Sequence, residues 1–350
     1  MSFAASVIIP TYNRADFIVE TLTSILAQSK PAAEIIVVDD GSTDHTEALL
    51  RAQFPRVIYH RTENRGAPHA RNIGVGLSRG THIAFCDSDD IWLPDHLANI
   101  CTVFESDPAI GLVFSNFREM ADAGSARVIA AHSKLDQLPP SFWPQPLVSI
   151  SAIALRCDAP LATAILRFQP VFPSALALTR DAYIRAGGFK PELGMLPAED
   201  LEFTLRAVRQ APIGVVTAPG VLIRKHDGNH SRRVGEMLIG EIIVLGIALQ
   251  SHNPPLELAT ALRAEMARRG AAAMDALYMS GRTAPLPAMA AALGWSNLPR
   301  KLQLKAALSL LPTPLAQRLA LLLARTHAPS PPLSADLRTG LNTALANLRA

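Results

Sequence analysis

Over the first 115 residues, short apolar runs alternate with segments of helical spacing, and four of the runs lead straight into a polar cluster. Residues 6–9 (SVII) form a β-branched run ended by Pro10, and residues 35–38 (IIVV) are wholly apolar, as in a parallel strand covered on both faces. Residues 57–59, 82–86 and 110–114 read as further strands. Between them, Ile18, Leu22, Ile25 and Leu26 recur at helical spacing, as do Leu97, Ile100 and Phe104, and residues 70–77 read as a helix. Asp44 with Glu47 resembles a capping box, and Pro94 sits where the first residue of a helix would. The order β-α-β-α-β-α-β-α-β predicts a doubly wound α/β domain.

Residues 116–198 are less regular. Pro139, Pro140, Pro144 and Pro146 around Phe142 and Trp143 mark an ordered loop or a lid. A strand is expected near 174–178, a short helix over 181–185 closed by Gly187-Gly188, a helix over 201–208, and strands at 215–218 and 221–223. From about 236 the chain turns helical, with leucine- and alanine-rich segments at 256–279, 286–293, 302–311 and 315–323. The reading divides the 350 residues into 1–118, 119–235 and 236–350. Chains of this length usually hold two or three domains.

Composition excludes several classes. With 49% apolar and 18% charged residues, global disorder is ruled out. Cys86, Cys101 and Cys157 form no CxxC pair, which argues against a disulfide scaffold or a cysteine zinc site and fits a reducing cytoplasm. Residues 3–9 are too short for a signal sequence, and no 18 clean apolar residues occur together. Residues 237–249 are the best candidate span, but Glu241 interrupts them and a buried helix explains them better. Charge is uneven: residues 1–235 carry 22 Lys and Arg against 24 Asp and Glu, whereas residues 236–350 carry 11 against 6. No acidic residue lies between Asp275 and Asp336.

In an open α/β sheet, ligands bind at the carboxyl ends of the strands. The four clusters fall there: PTYNR (10–14), DDGSTD (39–44), ENRGAPHARNIG (63–74) and DSDD (87–90). Asp87, Asp89 and Asp90 crowd carboxylates that repel unless a cation joins them, and oxygen ligands suit Mg²⁺ or Mn²⁺. The plainer alternative is a solvated helix N-terminus. Asp39 and Asp40 form either an Asx turn with Gly41 or acceptors for a base or ribose. Tyr12 offers a ring for stacking, and Arg71 and Arg65 face either phosphate or the neighbouring acids. Neither GxGxxG after the first strand, nor a P-loop, nor G-x-S-x-G is present, which disfavours dinucleotide oxidoreductases, P-loop NTPases and α/β-hydrolases.

Taken together, SVIIPTYNR, IIVVDDGSTD, ARNIG, FCDSDD, AGGF with AED (198–200), and RKHDGNHS (224–231) resemble glycosyltransferase family 2, over about residues 4–235. The resemblance implies the GT-A fold: a Rossmann-like nucleotide-binding sheet with an acceptor-binding half, followed here by an all-α region. It implies an inverting, metal-dependent transfer from a nucleotide sugar, usually a UDP-sugar, to a glycan or lipid-linked acceptor, in surface polysaccharide assembly. Pro10, Tyr12, Asp40, Arg71, Asp87 and His226 would then bind the donor, Asp89 and Asp87 form the DxD metal pair, Asp200 act as general base and Glu199 orient it or the acceptor. A helix N-cap is the plainer role for Glu199-Asp200, and an ordinary surface residue for His226. Two other readings are a binding module without turnover and a membrane-surface interaction protein. The basic helices would serve packing and self-association or an anionic membrane, placing the protein in the cytoplasm or at the inner membrane face. No nucleic-acid partner is expected.

Overall fold

The computed structural model describes residues 2–123, 126–144, 147–194, 196–226, 234–324 and 330–349. The chain divides into two compact units, Met1–Met195 with Phe203–Asp227 and Leu196–Glu202 with Gly228–Ala350.

The first unit is built on one sheet. Its parallel half contains β1 (Ala5–Thr11), β2 (Glu34–Asp39), β3 (Ile58–Arg61) and β4 (His82–Phe85), in the order β3-β2-β1-β4. Helices α1 (Ile18–Leu26), α2 (Thr46–Gln53) and α3 (Ala67–Leu77) connect these strands. β1 is buried along its whole length, which is why its sequence does not alternate. Ile18, Leu22 and Ile25 of α1 join Val7, Ile9 and Val37 in one core. The glycine of the ARNIG run has a packing role: a Cβ at Gly74 would collide with Ile8, so its absence lets α3 lie close to the sheet.

Beyond β4 the chain forms β5 (Ile91–Trp92), α4 (His96–Ser106), β6 (Leu112–Ala123), β7 (Ala126–Ile129), β8 (Leu147–Ser151), β9 (Ala154–Cys157), α5 (Ala162–Arg167), β10 (Leu176–Thr179), α6 (Arg180–Ala186), α7 (Glu199–Ala207) and β11 (Ile213–Lys225). The sheet continues from β4 as β10-β6-β11-β9-β8. β10 runs antiparallel between β4 and β6, so the fifth expected strand is not the next neighbour of the fourth. Periodicity reports which faces are buried, and β10 and β6 are both buried, so it could not order them. The two expected strands near 215–223 are one strand, β11, whose register against β6 shifts around Pro219. A proline has no N–H for the ladder, and a bulge accommodates it.

Three local expectations change. Asp44 does not form a capping box. Its carboxylate accepts the Thr46 and Ala15 N–H groups, while Glu47 pairs with Arg51 and Arg61. α4 starts at His96, so Pro94 lies outside it. The proline-rich loop is pinned: Phe142 is buried edge-on against Trp143 and Phe168.

The second unit is helical: α8 (Val234–Ser251), α9 (Leu256–Met279), α10 (Leu286–Leu293), α11 (Arg300–Leu308), α12 (Thr313–Ala324) and α13 (Ala335–Arg349). By length and composition alone, α8 could cross a membrane. In the fold its Ile239, Ile242, Ile243 and Leu245 are buried, and Gly246 meets Ala344 of α13. Its two carboxylates pair inside the unit, Glu236 with Arg282 at 2.9 Å and Glu241 with Arg269 at 3.1 Å. It is a core helix of this unit. α13 was not anticipated, although Leu337, Leu341, Ala344 and Leu345 are buried at helical spacing.

Candidate active site

β1 has β2 on one side and β4 on the other, so successive connections leave it in opposite directions. That is the switch point of an open α/β sheet, where the carboxyl ends form a crevice. Pro10 is a buried residue of β1 itself, opposite Val38, so the strand continues to Thr11. Tyr12 follows with its ring 42% exposed and free to stack. Asn13 adopts φ +50°, and its side-chain carbonyl accepts the Thr43 N–H at 2.7 Å. Its own N–H donates to the Ser42 hydroxyl at 2.9 Å, which ties the PTYNR and DDGSTD loops together.

The two aspartates after β2 hold loops. Asp39 accepts from the Ser42 N–H at 2.7 Å and the Tyr59 hydroxyl at 2.8 Å. Burial and the Asp39 charge push the Tyr59 phenol far up. Asp40 is buried, and its two oxygens accept the Arg65 and Gly66 N–H groups at 2.9 and 2.7 Å. A carboxylate has about four lone-pair sites, so acceptor capacity for a ligand remains. Gly66 sits at φ +91°, and a Cβ there would run into the Gly194 carbonyl. Asp40 therefore sets the path of the loop that opens α3.

Arg71 points inward from α3. Its guanidinium, buried to 3% exposure, donates to Asp87 at 2.7 Å and lies 5.0 Å over the Phe189 ring. The AGGF turn supports that ring. Gly187 ends α6 in the left-handed conformation, and the Asn72 amide bonds both the N–H and the carbonyl of Phe189.

The acids of DSDD diverge. Asp87 pairs with Arg71. Asp89 presents one oxygen to His226 Nε2 at 3.0 Å and to Arg14 Nε at 3.4 Å. Asp90 turns inward, accepting the Ser174 hydroxyl and the Arg224 N–H. Burial, then the charges of Asp89 and Asp87, push the Asp90 carboxyl well above the usual range. The third acid is thus a latch between β11 and the loop after β4. Arg224 secures the same junction: it donates to the Asp89 carbonyl at 2.9 Å and pairs with Asp122 and Glu20. The His226 ring stacks on Phe17 at 4.9 Å. Ser174, Phe17, Glu20 and Asp122 escaped the sequence reading because each is an ordinary residue type far along the chain from its partner. Arg14 was legible only as part of PTYNR.

Among the described residues, no three His, Cys, Asp or Glu side chains form a ready metal cage. Asp89 and His226 do converge, and Mg²⁺-like ions commonly use one or two carboxylates plus phosphate and water. The Asp89 carboxylate fits such an ion, with a diphosphate and water completing its other positions.

Glu199 and Asp200 open α7, inside its first turn, in the segment that belongs with the second unit. Asp200 accepts the Leu201 N–H at 2.9 Å, and acids in a first turn favour the helix. Glu202, fully buried, pairs with His252 at 2.7 Å within the same unit. The 227–231 part of the RKHDGNHS run lies outside the described residues.

Residues 6–144 match the family model described as glycosyl transferase family 2. The match covers less than half of the chain, and over these residues the chain is similar to glycosyltransferase family 2. It is 38% identical over 125 residues to a putative teichuronic acid biosynthesis glycosyltransferase, TuaG, of Bacillus subtilis, covering 34% of this chain and 49% of the relative. The match thus spans about half the length of that relative. Among solved structures it is similar to S. aureus TarS 1–349 in complex with UDP-GlcNAc, with TM-score 0.55, 17% identity, and 99% and 89% of the two chains covered. It is also similar to the mannosyltransferase PcManGT from Pyrobaculum calidifontis in complex with GDP-Man and Mn²⁺, with TM-score 0.53, 24% identity, and 99% and 85% covered. The fold is that of the GT-A glycosyltransferases, with a helical C-terminal region.

Proposed function

We propose that the protein is an inverting glycosyltransferase that moves a sugar from a nucleoside-diphosphate sugar to a hydroxyl of a glycan or lipid-linked acceptor. The observation that carries this reading is the Asp89 carboxylate beside His226 and Arg14, at the switch-point edge that also holds Tyr12, Asp40 and the Arg71–Asp87 pair. A diphosphate needs cationic and metal-ligating groups there, and a base needs a flat ring and acceptors. The donors in the two similar structures, UDP-GlcNAc and GDP-Man, support a nucleotide sugar, and we favour UDP.

Tyr12 stacks the base and Asp40 accepts from it, from the loops that follow β1, with its Pro10, and β2. Arg71 and Asp87 address the diphosphate and ribose. Asp89 and His226 would hold a divalent ion, Mn²⁺ or Mg²⁺, which when bound supplies charge neutralisation for the leaving diphosphate. Asp200 takes the proton from the acceptor hydroxyl, and Glu199 orients that acceptor. Displacement from the opposite face inverts the anomeric centre without a covalent intermediate. The name of the B. subtilis relative supports surface polysaccharide assembly. The three free, buried cysteines accord with a cytoplasmic site of action.

A thermal-shift panel of UDP, GDP, CDP and ADP, each with and without Mn²⁺, tests the donor site. One nucleotide is expected to raise the midpoint in a metal-dependent way, because a ligand of the folded state stabilises it. No shift with any nucleotide would overturn the reading. Asp200→Asn is expected to keep that shift and lose transfer, whereas full transfer would remove Asp200 as base.

A further inference from the structure

In an ordinary surface helix the leucines face inward and the small or charged residues face water. α11 and α12 reverse this. α12 buries Ala316 and Ala320 while Leu315, Leu322 and Leu323 are exposed, Leu322 to 74%. α11 buries Leu302, Lys305 and Ala306 and leaves Leu304 60% exposed. The turn between them adds Leu310, at 67%, and Leu311. Leu315, Arg318 and Leu322 are three and four residues apart, so they share one face of α12.

Along the sequence, the stretch that carries these leucines has charge of one sign. Between Asp275 and Asp336 the chain carries Arg282, Arg300, Lys301, Lys305, Arg318 and Arg325 and no acid. Lys305 is buried against Asp275, and Arg282 is paired with Glu236. Arg300 and Arg318 are exposed without a carboxylate partner among the described residues. Trp295, half-exposed in the turn before α11, is of the type that settles at a lipid–water boundary. Asp275 pairs with Lys301 and Lys305 of α11, and the exposed leucines beside Arg300 and Arg318 match the two terms of interfacial binding, apolar burial and attraction to anionic headgroups.

We propose that α11, the turn after it and α12 form a lipid-binding surface that seats the second unit in the plane of an anionic membrane. The proposal stands apart from the transfer reaction: it rests on the second unit alone.

Co-sedimentation of the full chain with vesicles tests it, comparing phosphatidylcholine alone with phosphatidylcholine containing phosphatidylglycerol, at low and high salt. The protein is expected to pellet with the anionic vesicles, to stay soluble with the neutral ones, and to be released by salt. Leu310→Gln with Leu311→Gln, both exposed, is expected to weaken binding at least tenfold with an unchanged melting curve. Arg300→Gln and Arg318→Gln are each expected to weaken it about fivefold. Asp200→Asn is expected to pellet like the parent, so failure of the membrane surface and failure of the catalytic reading are separable. Equal, negligible pelleting with both vesicles would overturn the proposal. So would a dimer by light scattering that the paired leucine substitutions dissociate, since a second copy would then cover the face.

Discussion

The two units handle charge in opposite ways. The first collects acids at one edge of a sheet, where Asp40, Asp87, Asp89 and Asp90 each meet a separate set of donors. The second takes its ion pairs among its helices, as in Glu241–Arg269, Glu236–Arg282 and Lys305–Asp275, and turns leucines outward. At that edge Asp87 and Asp89 keep exposed carboxylate surface for a ligand, while Asp90 turns inward. Charge between helices is spent on register, since a buried pair gives little net stability yet is costly to break. Apart from Asp200, which lies with the second unit, chemistry is therefore expected from the carboxylates of the first unit and stability effects from the ion pairs of the second.

The widest gap should separate Asp89→Ala from the helical pairs. This substitution is expected to lower transfer by about 10²–10³-fold and to remove metal-dependent nucleotide binding, with little change in melting temperature. Unchanged nucleotide affinity with and without Mn²⁺ would break the contrast.

A matched pair of glycines sharpens it. Gly66→Ala adds a Cβ against the Gly194 carbonyl at a positive φ, and should cost more than about 2 kcal/mol by denaturant unfolding. Gly240→Ala meets the Pro197 carbonyl without a positive φ, and should cost less, since alanine recovers about 1 kcal/mol of helix propensity. Equal costs would show that strain at Gly66 is negligible.

Glu241→Gln removes the carboxylate 3.1 Å from the buried Arg269, which also has Glu265 at 3.6 Å. Destabilisation on the order of 2 kcal/mol is expected, with nucleotide binding retained. A selective loss of nucleotide binding would contradict the division of labour.

A further contrast concerns pH. Burial lowers His82 in the first unit to about 4, against 6.5 for the free side chain. The unfolded chain then binds more protons than the folded one between these values, so stability is complete above about 6.5 and falls as pH drops towards 4. In the second unit, burial raises Glu241, more than Arg269 lowers it, so that group gives the opposite slope. His82→Gln is expected to lose less melting temperature than the parent over this window, and identical slopes would remove His82 as the source.

The sequence by itself determined the parallel strands β1 to β4, the loops at their carboxyl ends and the acids in those loops. Each of these is a local pattern: a two-sided buried strand must be continuously apolar, and an acid directly after it has few other places to be. Glycines told as much, because Gly74 and Gly187 answer to packing and φ at their own positions. Only the tertiary structure decided the rest. It inserted β10 between β4 and β6, turned Asp90 inward to Ser174 and Arg224, brought Arg14 and His226 to one oxygen of Asp89, and grouped Asp200 with the C-terminal helices. It also reversed α12, whose leucine repeat reads in one dimension as an inward face. Periodicity reports that two faces differ, whereas partners far apart in the chain meet only through the way the elements pack.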